Sequence, residues 1–531
     1  MPVFQKKVLS AYIRNGCKRR LRLSMYPTDD ERTDNGMPKT QKARAGVGIA
    51  GQLGYNWQED KVEELVEVFG VDSVLQKKGG PKNRAQPQEL LALINAGLQP
   101  YQFIVEARYS SDTESFRQGM GLMAMSDENG EALDLRYNHA DLIQVLPPHS
   151  AALPDEKPEY GLEVHPGGSL SQLDENDNRL RLRVIDIKLA AEPGAHYFAE
   201  VVYYALTLAG RLHENNLTDQ LVVVAASAVW PGSYDASAVM LAHHELKRRG
   251  IPVSLANLSI ALEEDLELAP FDTFVARLRR FFIDVLPAVL NTPWQQLSWH
   301  LDYNCSGCEF MGYPWPMQDG SVDYNPLWCW PEAARTGHVS QVVGLSRGNR
   351  QQLGTPTVTE LAQFQSDNEL FRLTPSLRAQ RERFPGRAES LLTNTATVLP
   401  NSGSDALMPR WPDLHVYLFL DYDLASAITV TFGIRAFWSE PVPFGVEHAD
   451  GKHQKRWNEK EGNTEIFVVD TRDLGRERAE FLNFLRALRG ILDDVRRFDT
   501  DDIAAGRRTD PEKPDGLPKR STYQIFLWDE A

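Results

Sequence analysis

The stretch Leu180-Arg-Leu-Arg-Val-Ile-Asp186-Ile-Lys188-Leu189 decides how this chain is read. Its apolar residues Leu182, Val184, Ile185 and Ile187 predict a strand inside a sheet. Side chains alternate faces along a strand, so Asp186 and Lys188 point the same way. An acid and a lysine side by side on such a strand have two readings. One is a salt bridge at a strand end. The other is a metal site, in which the carboxylate holds a divalent ion and the lysine positions or polarises the attacking water.

The flanking sequence fits the second reading. Residues 135–145 predict a neighbouring strand that carries Asp141. Residues 196–212 predict a helix with Glu200 and Tyr204 one turn apart on one face, and residues 221–227 a further strand. Upstream, residues 103–109 and 119–125 predict strands, and residues 1–25, 59–69 and 89–96 predict helices. Glu59 opens the second of these helices, and Glu106, on its own strand, is a competing acid for which the structural reading is preferred. Residues 27–47 read as a polar loop, and residues 147–179 as an exposed insertion rich in Pro, Gly, Asp and Asn. Strands followed by strand–helix–strand predict a mixed α/β core. Residues 236–250 and 271–290 are helical, the second with a core stripe of Phe274, Leu278, Phe281, Phe282 and Val285.

A chain of 531 residues is long enough for two to four domains. It holds no run of about 18 apolar residues, so no membrane span is expected, and the charged start Met1-Pro-Val-Phe-Gln-Lys-Lys has no apolar signal core. The expectation is a cytoplasmic protein. The net charge of -16 argues against nonspecific coating of nucleic acid but leaves room for a local basic groove. Lys6, Lys7, Arg14, Lys18, Arg19, Arg20 and Arg22 are the candidates, read either as a solvated helix face or as a phosphate-binding face.

Four cysteines in this length are too few for a disulfide framework in a reducing compartment. Cys305-Ser-Gly-Cys308 is a Cys-x-x-Cys pair, Cys329 follows in a Trp- and Pro-rich loop, and Cys17 lies far upstream. Outside a thioredoxin-like context such a pair reads as metal ligands. Four thiolates suit either zinc or a [4Fe–4S] cluster.

Asp141, then Asp186-Ile-Lys188, then a helix with Glu200-x-x-x-Tyr204, resembles the order of motifs in RecB-type PD-(D/E)XK nucleases. One cysteine near the N-terminus, in Ser10-Ala-Tyr-Ile-Arg-Asn-Gly-Cys17, and a cluster after the core resembles their iron–sulfur branch. The resemblance covers roughly residues 1–340. It implies a restriction-endonuclease-like mixed-sheet core with helical and Cys-cluster extensions. It also implies that Asp141 and Asp186, with the Ile187 carbonyl, bind Mg²⁺ or Mn²⁺, and that Glu59 stands where the family has a further metal ligand. Lys188 would orient the water and stabilise charge on phosphate. Glu200 and Tyr204 would contact the DNA strand or support the site. Cys17, Cys305, Cys308 and Cys329 would staple the nuclease around a [4Fe–4S] cluster, with Zn²⁺ as the alternative.

The second half resembles the extension found in RecB-like nucleases fused to superfamily 1 helicases. Residues 339–365 read as two short helices around glycine turns, either a phosphate-gripping hairpin or a connector, and residues 366–411 as a linker. Residues 412–531 carry strands near 414–423, 427–438 and 465–469, a helix over 476–495 and a final strand from Tyr523. That order resembles an RNase H-like α/β domain opening on Asp421-Tyr-Asp423, with Asp529 as a further acid and the remainder expected beyond residue 531. The expected function is a metal-dependent deoxyribonuclease acting on single strands or DNA ends, the N-terminal part of a nuclease–helicase in repair or phage defence. Asn138-His-Ala in place of the family's glycine, and Glu200 in place of glutamine, motivate an alternative: a decayed nuclease fold that grips DNA for a helicase partner. The charge and the long Cys308–Cys329 gap motivate a third, a zinc-stapled structural protein.

Overall fold

The computed structural model describes residues 1–42, 47–79, 85–152, 156–190, 192–232, 237–314, 322–354, 356–366, 368–396, 412–423, 428–438, 463–471, 473–504 and 520–528. The chain forms two compact units, Met1–Thr397 and Val398–Ala531.

The first unit starts with β1 (Val3–Phe4), α1 (Lys6–Asn15), α2 (Lys18–Ser24), α3 (Asp29–Asp34) and α4 (Val47–Phe69). Then come β2 (Val74–Leu75), β3 (Gln88–Glu89), α5 (Leu90–Ala96), β4 (Gln102–Ser110), α6 (Glu114–Gly119), β5 (Asp134–Leu135) and β6 (Tyr137–Leu146). After the short hairpin β7 (Leu162–Val164) and β8 (Leu170–Gln172) follow β9 (Leu180–Ile187), α7 (Ala195–Glu214), β10 (Leu221–Val223), β11 (Ala228–Trp230), α8 (Ala238–Arg249), α9 (Leu255–Leu262), β12 (Glu267–Leu268) and α10 (Phe271–Arg280).

One mixed eight-stranded sheet runs β12-β11-β9-β6-β4-β2, with β10 beside β9 and β3 beside β4. β6 is antiparallel to both β4 and β9, whereas β2 and β3 run parallel to β4, and β10 and β11 run parallel to β9, from which they follow through α7. This is a mixed α/β architecture. β9 is buried on both faces because each face is covered by helices. Leu182 and Val184 join the core with α1, α7 and α10, while Ile185 and Ile187 join the core with α4, α8 and α9.

Several local expectations are corrected. Residues 1–25 form two helices, broken where Gly16 takes a left-handed φ of 59°. Residues 27–47 include α3, started by the reciprocal cap of Thr28 and Glu31, a T-x-x-E signature present in the sequence. Residues 119–125 are not a strand: α6 ends there and the chain turns at Gly121, φ 73°. Met120 and Leu122 are each buried, which mimics strand alternation. Gly119 is needed because a Cβ there would lie 2.4 Å from the Gly167 Cα. Within residues 147–179, Tyr160 is buried and β7 and β8 pair.

Residues 339–365 hold two short helices, Arg347–Gln352 and Val358–Ala362. The expected linker does not start at residue 366. Helices Glu369–Leu373, Pro375–Arg378 and Arg383–Thr393 continue, and Phe371, Leu377 and Phe384 share one apolar core with Val339 and Leu361. The rest of that span, residues 397–411, lies outside the described residues.

In the second unit, β13 (Leu414–Asp423) pairs antiparallel with β14 (Ile428–Trp438) and parallel with β16 (Tyr523–Trp528). β14 pairs antiparallel with β15 (Asn463–Val468), giving the order β15-β14-β13-β16. Phe484, Ile491 and Val495 of the helix Leu474–Ala504 cover Val416, Phe432 and Ile434. Among the described residues, no helix is long and apolar enough to cross a membrane.

Ile185 is fully buried between the sheet and the α4 layer, whereas Leu241 on α8 is 57% exposed. Ile185→Ala should cost about 2–5 kcal/mol of stability and Leu241→Ala less than about 0.5, read by urea unfolding. A cost below about 1 kcal/mol for Ile185→Ala would contradict this packing.

Candidate functional site: an acid row between two lysines

The site lies where β6 and β9 part. Their ladder ends at Leu142 opposite Ile185, so the next row holds Asp141 and Asp186. Beyond it the Ile187 N–H no longer finds a strand partner on β6 and donates to Asp141 Oδ2 at 3.0 Å. The same row continues onto β4, where the flanking pairs Val105–Leu142 and Ala107–Ala140 bracket Glu106 and Asp141. Glu106 has a left-handed φ of 52°, rare for a residue with a side chain. The alternation of β4 shifts there: Ile104 and Ala107 face one core, Phe103 and Val105 the other. Three acids from three adjacent strands therefore stand in one row.

Two lysines meet this row from different elements. Lys188 follows β9 and places its Nζ 2.7 Å from Asp186 Oδ2 and 3.4 Å from Asp141 Oδ2. Lys6 comes from the first turn of α1 and lies 3.8 Å from Asp186 Oδ1, 4.0 Å from Asp141 Oδ1 and 3.8 Å from Glu200 Oε2. It also sits 4.9 Å above the Tyr204 ring. α7 positions both partners: Glu200 is buried, and the Tyr204 hydroxyl donates to the His139 carbonyl at 2.7 Å. Tyr204 thus braces the strand that carries Asp141.

Burial pushes the Asp186 carboxyl up, and the Asp141 charge beside it pushes further in the same direction. Burial also opposes ionisation of Asp141, but Lys188, Lys6 and the Ile187 amide outweigh it and hold that carboxyl low. For both lysines the acids overcome burial and keep the ammonium charged. The fully buried Asp186 has no donor aligned to hydrogen-bond either oxygen.

On the other side, Glu106 lines a cavity of about 140 Å³ with Gln58, Glu59 and Val62 of α4. Gln58 donates to Glu106 at 2.7 Å. Burial, then the Asp141 charge, raises the Glu106 carboxyl to about 7. Glu59 shares this cavity and has an Oε1 without a hydrogen-bond partner. Among the described residues, no ion pair links it to Lys6 or Lys188.

The structure brings together Asp141, Asp186, Lys188, Glu200 and Tyr204 and sets Glu59 behind Glu106. Sequence reasoning grouped Lys6 with a basic run and did not place it at the acid row, and it set Glu106 aside as a competing acid, whereas both stand at the row. Lys6 had a signal: it shares the helical stripe of Leu9 and Ile13, both buried, so it points inward. For Glu106 the sequence showed only a competing acid on a strand, because its place in the row depends on the φ reversal. The basic run is also corrected. Arg19 and Arg22 are buried, Arg22 beside Asp127 and Glu128. Arg19 pairs with Glu332, and Arg20 with Glu309.

Those pairs tie Cys17, the cap of α2, to the segment of the other cysteines. Cys17, Cys305, Cys308 and Cys329 are free thiols lining one cavity. Backbone N–H groups of Arg20 and Asp302 approach the Cys17 and Cys305 sulfurs at 3.4 and 3.5 Å. Burial raises the Cys305 and Cys308 thiols to about 11 and about 12. In the second unit, Asp421 is exposed at the end of β13; the Asp423 side chain and Asp529 lie outside the described residues.

No family model, curated protein or solved structure matches the chain. Among the described residues, no three His, Cys, Asp or Glu side chains converge at metal-ligand spacing. The donor chemistry nevertheless fits both implied groups. The buried Asp186 oxygens, met by ammonium groups, and an ammonium ringed by three carboxylates suit a hard cation. Four unpaired thiols on one cavity suit a soft metal or cluster.

Glu106 ionises near its ordinary value of 4.5 when unfolded and near 7 when folded. Between these values the folded chain keeps a proton that the unfolded chain releases, so this group's contribution to stability declines as pH rises through that window. Glu106→Gln should flatten the fall in unfolding free energy between about pH 4.5 and 7. An unchanged profile would contradict the burial of this carboxyl.

Proposed function

We propose that the first unit is a metal-dependent deoxyribonuclease with a PD-(D/E)XK core, cleaving single strands or DNA ends. The observation that carries this reading is the meeting of Asp141 and Asp186 where β6 and β9 part, with Lys188 2.7 Å from Asp186. Asp141 and Asp186, with the Ile187 carbonyl, would hold Mg²⁺ or Mn²⁺, and Glu106 stands next in the row. When bound, the ion supplies Lewis-acid activation of water and of the phosphate. Lys188 orients the water and stabilises negative charge on the phosphoryl oxygens. Ile187 N–H and Lys188 fix the orientation of Asp141, and Tyr204 braces the Asp141 strand through His139. Cys17, Cys305, Cys308 and Cys329 are proposed to carry a [4Fe–4S] cluster, with Zn²⁺ as the alternative. The second unit is proposed to be a partial RNase H-like domain, and a helicase the partner, on the motif order given above.

One observation favours a second reading. The acid row is already neutralised by two lysines of the chain itself, as a decayed site that only grips DNA would be. Cleavage separates the two.

With end-labelled single-stranded DNA and Mn²⁺, Asp186→Ala and Lys188→Ala should each lower the rate at least about a hundred-fold, roughly 3 kcal/mol of barrier. Equal cleavage by parent and variants would overturn the assignment. Tight binding with no cleavage by the parent would favour the gripping module. Protein prepared without oxygen should be brown, absorbing near 400 nm, and Cys308→Ser should lose that band. A colourless parent with one bound zinc would replace the cluster by Zn²⁺.

A further inference from the structure

We infer that Lys6 is a positioning residue that competes with the divalent cation for the acid row and so sets the metal affinity of the site. This rests on the nuclease reading above. The geometry divides the two acids between the two lysines. The Oδ2 atoms of Asp141 and Asp186 face Lys188, and the Oδ1 atoms of the same two residues face Lys6. Lys188 closes to 2.7 Å on one oxygen, whereas Lys6 stays 3.8 to 4.0 Å from three carboxylates. That is beyond hydrogen-bond range for each, so Lys6 is centred among them.

A dication shared by Asp141 and Asp186 would draw on the same carboxylates among which Lys6 is centred. The two positive charges repel at such spacing, so the ammonium withdraws when the ion enters. The chain provides for this. The Lys6 side chain is 31% exposed, against none for Asp186, and its four-carbon stem is flexible. Its anchor is firm, because β1 pairs with β5 immediately before α1, and Val8, Leu9 and Ile13 fix that helix in the core. Without metal, Lys6 adds a second positive charge to that of Lys188 beside the buried acids.

The test is Mn²⁺ binding to the whole chain by calorimetry and by electron paramagnetic resonance, with thermal unfolding alongside. Lys6→Met should bind Mn²⁺ at least about ten-fold more tightly than the parent. Its metal-free form should melt lower, and Mn²⁺ should raise its melting temperature by more than it raises the parent's. Lys7→Met removes the same charge from an exposed position on the same helix and should match the parent. Lys6→Arg keeps the charge and should not tighten binding; Lys6→Gln replaces Lys6→Met if that variant does not fold. Parent-like or weaker affinity in the folded neutral variant overturns this inference alone, as does equal tightening by Lys7→Met. A parent that binds no Mn²⁺ overturns it together with the metal-centre reading.

Discussion

A carboxylate with no exposure to water is the constraint on which the site depends. Asp186 lies on the central strand of the sheet, fully buried, with no hydrogen-bond donor aligned to it. A lone charge there would carry a large desolvation cost. The chain meets it with two ammonium groups from opposite directions. Lys188 comes from the end of the same strand and Lys6 from a helix more than 180 residues earlier in the chain. Around this knot the other elements have defined tasks: α1 delivers Lys6, α7 supplies Glu200 and Tyr204, and the parting of β6 from β9 opens the space.

The backbone makes that space by giving up ladder bonds locally. Once β6 and β9 diverge, the Asp141 carboxylate takes the Ile187 N–H that a strand partner would otherwise receive. The left-handed turn at Glu106 does the corresponding work on β4. Strain of this kind persists only where surrounding structure holds it, and the helical layers on both faces provide the hold. A second knot stands apart from the first. There the buried Arg19 and the half-buried Arg20 of α2 fasten Cys17 to the segment that bears Cys305, Cys308 and Cys329.

Much of this was legible in the sequence because it follows local periodicity. The period of two put Asp186 and Lys188 on one face, and the helical period put Glu200 and Tyr204 together. The mixed α/β class followed from element order. What was not legible depended on backbone reversals or distant packing. Glu106 looked structural because alternation hides a φ reversal. Lys6 was grouped with a basic run in which Arg19 and Arg22 turn out to be buried partners of Glu332, Asp127 and Glu128. The helices after residue 366 were missed because their apolar residues are sparse and only together close the core over Val339 and Leu361.

The central claim is that Asp141 and Asp186 form one cation site at the point where their strands part. Diffraction from crystals soaked in Mn²⁺, recorded at the manganese absorption edge, tests it most directly. The account predicts an anomalous peak beside the carboxylates of Asp141 and Asp186, with the Lys6 ammonium moved away. A peak elsewhere with the acid row still closed on both lysines, or no peak at saturating Mn²⁺, would contradict it.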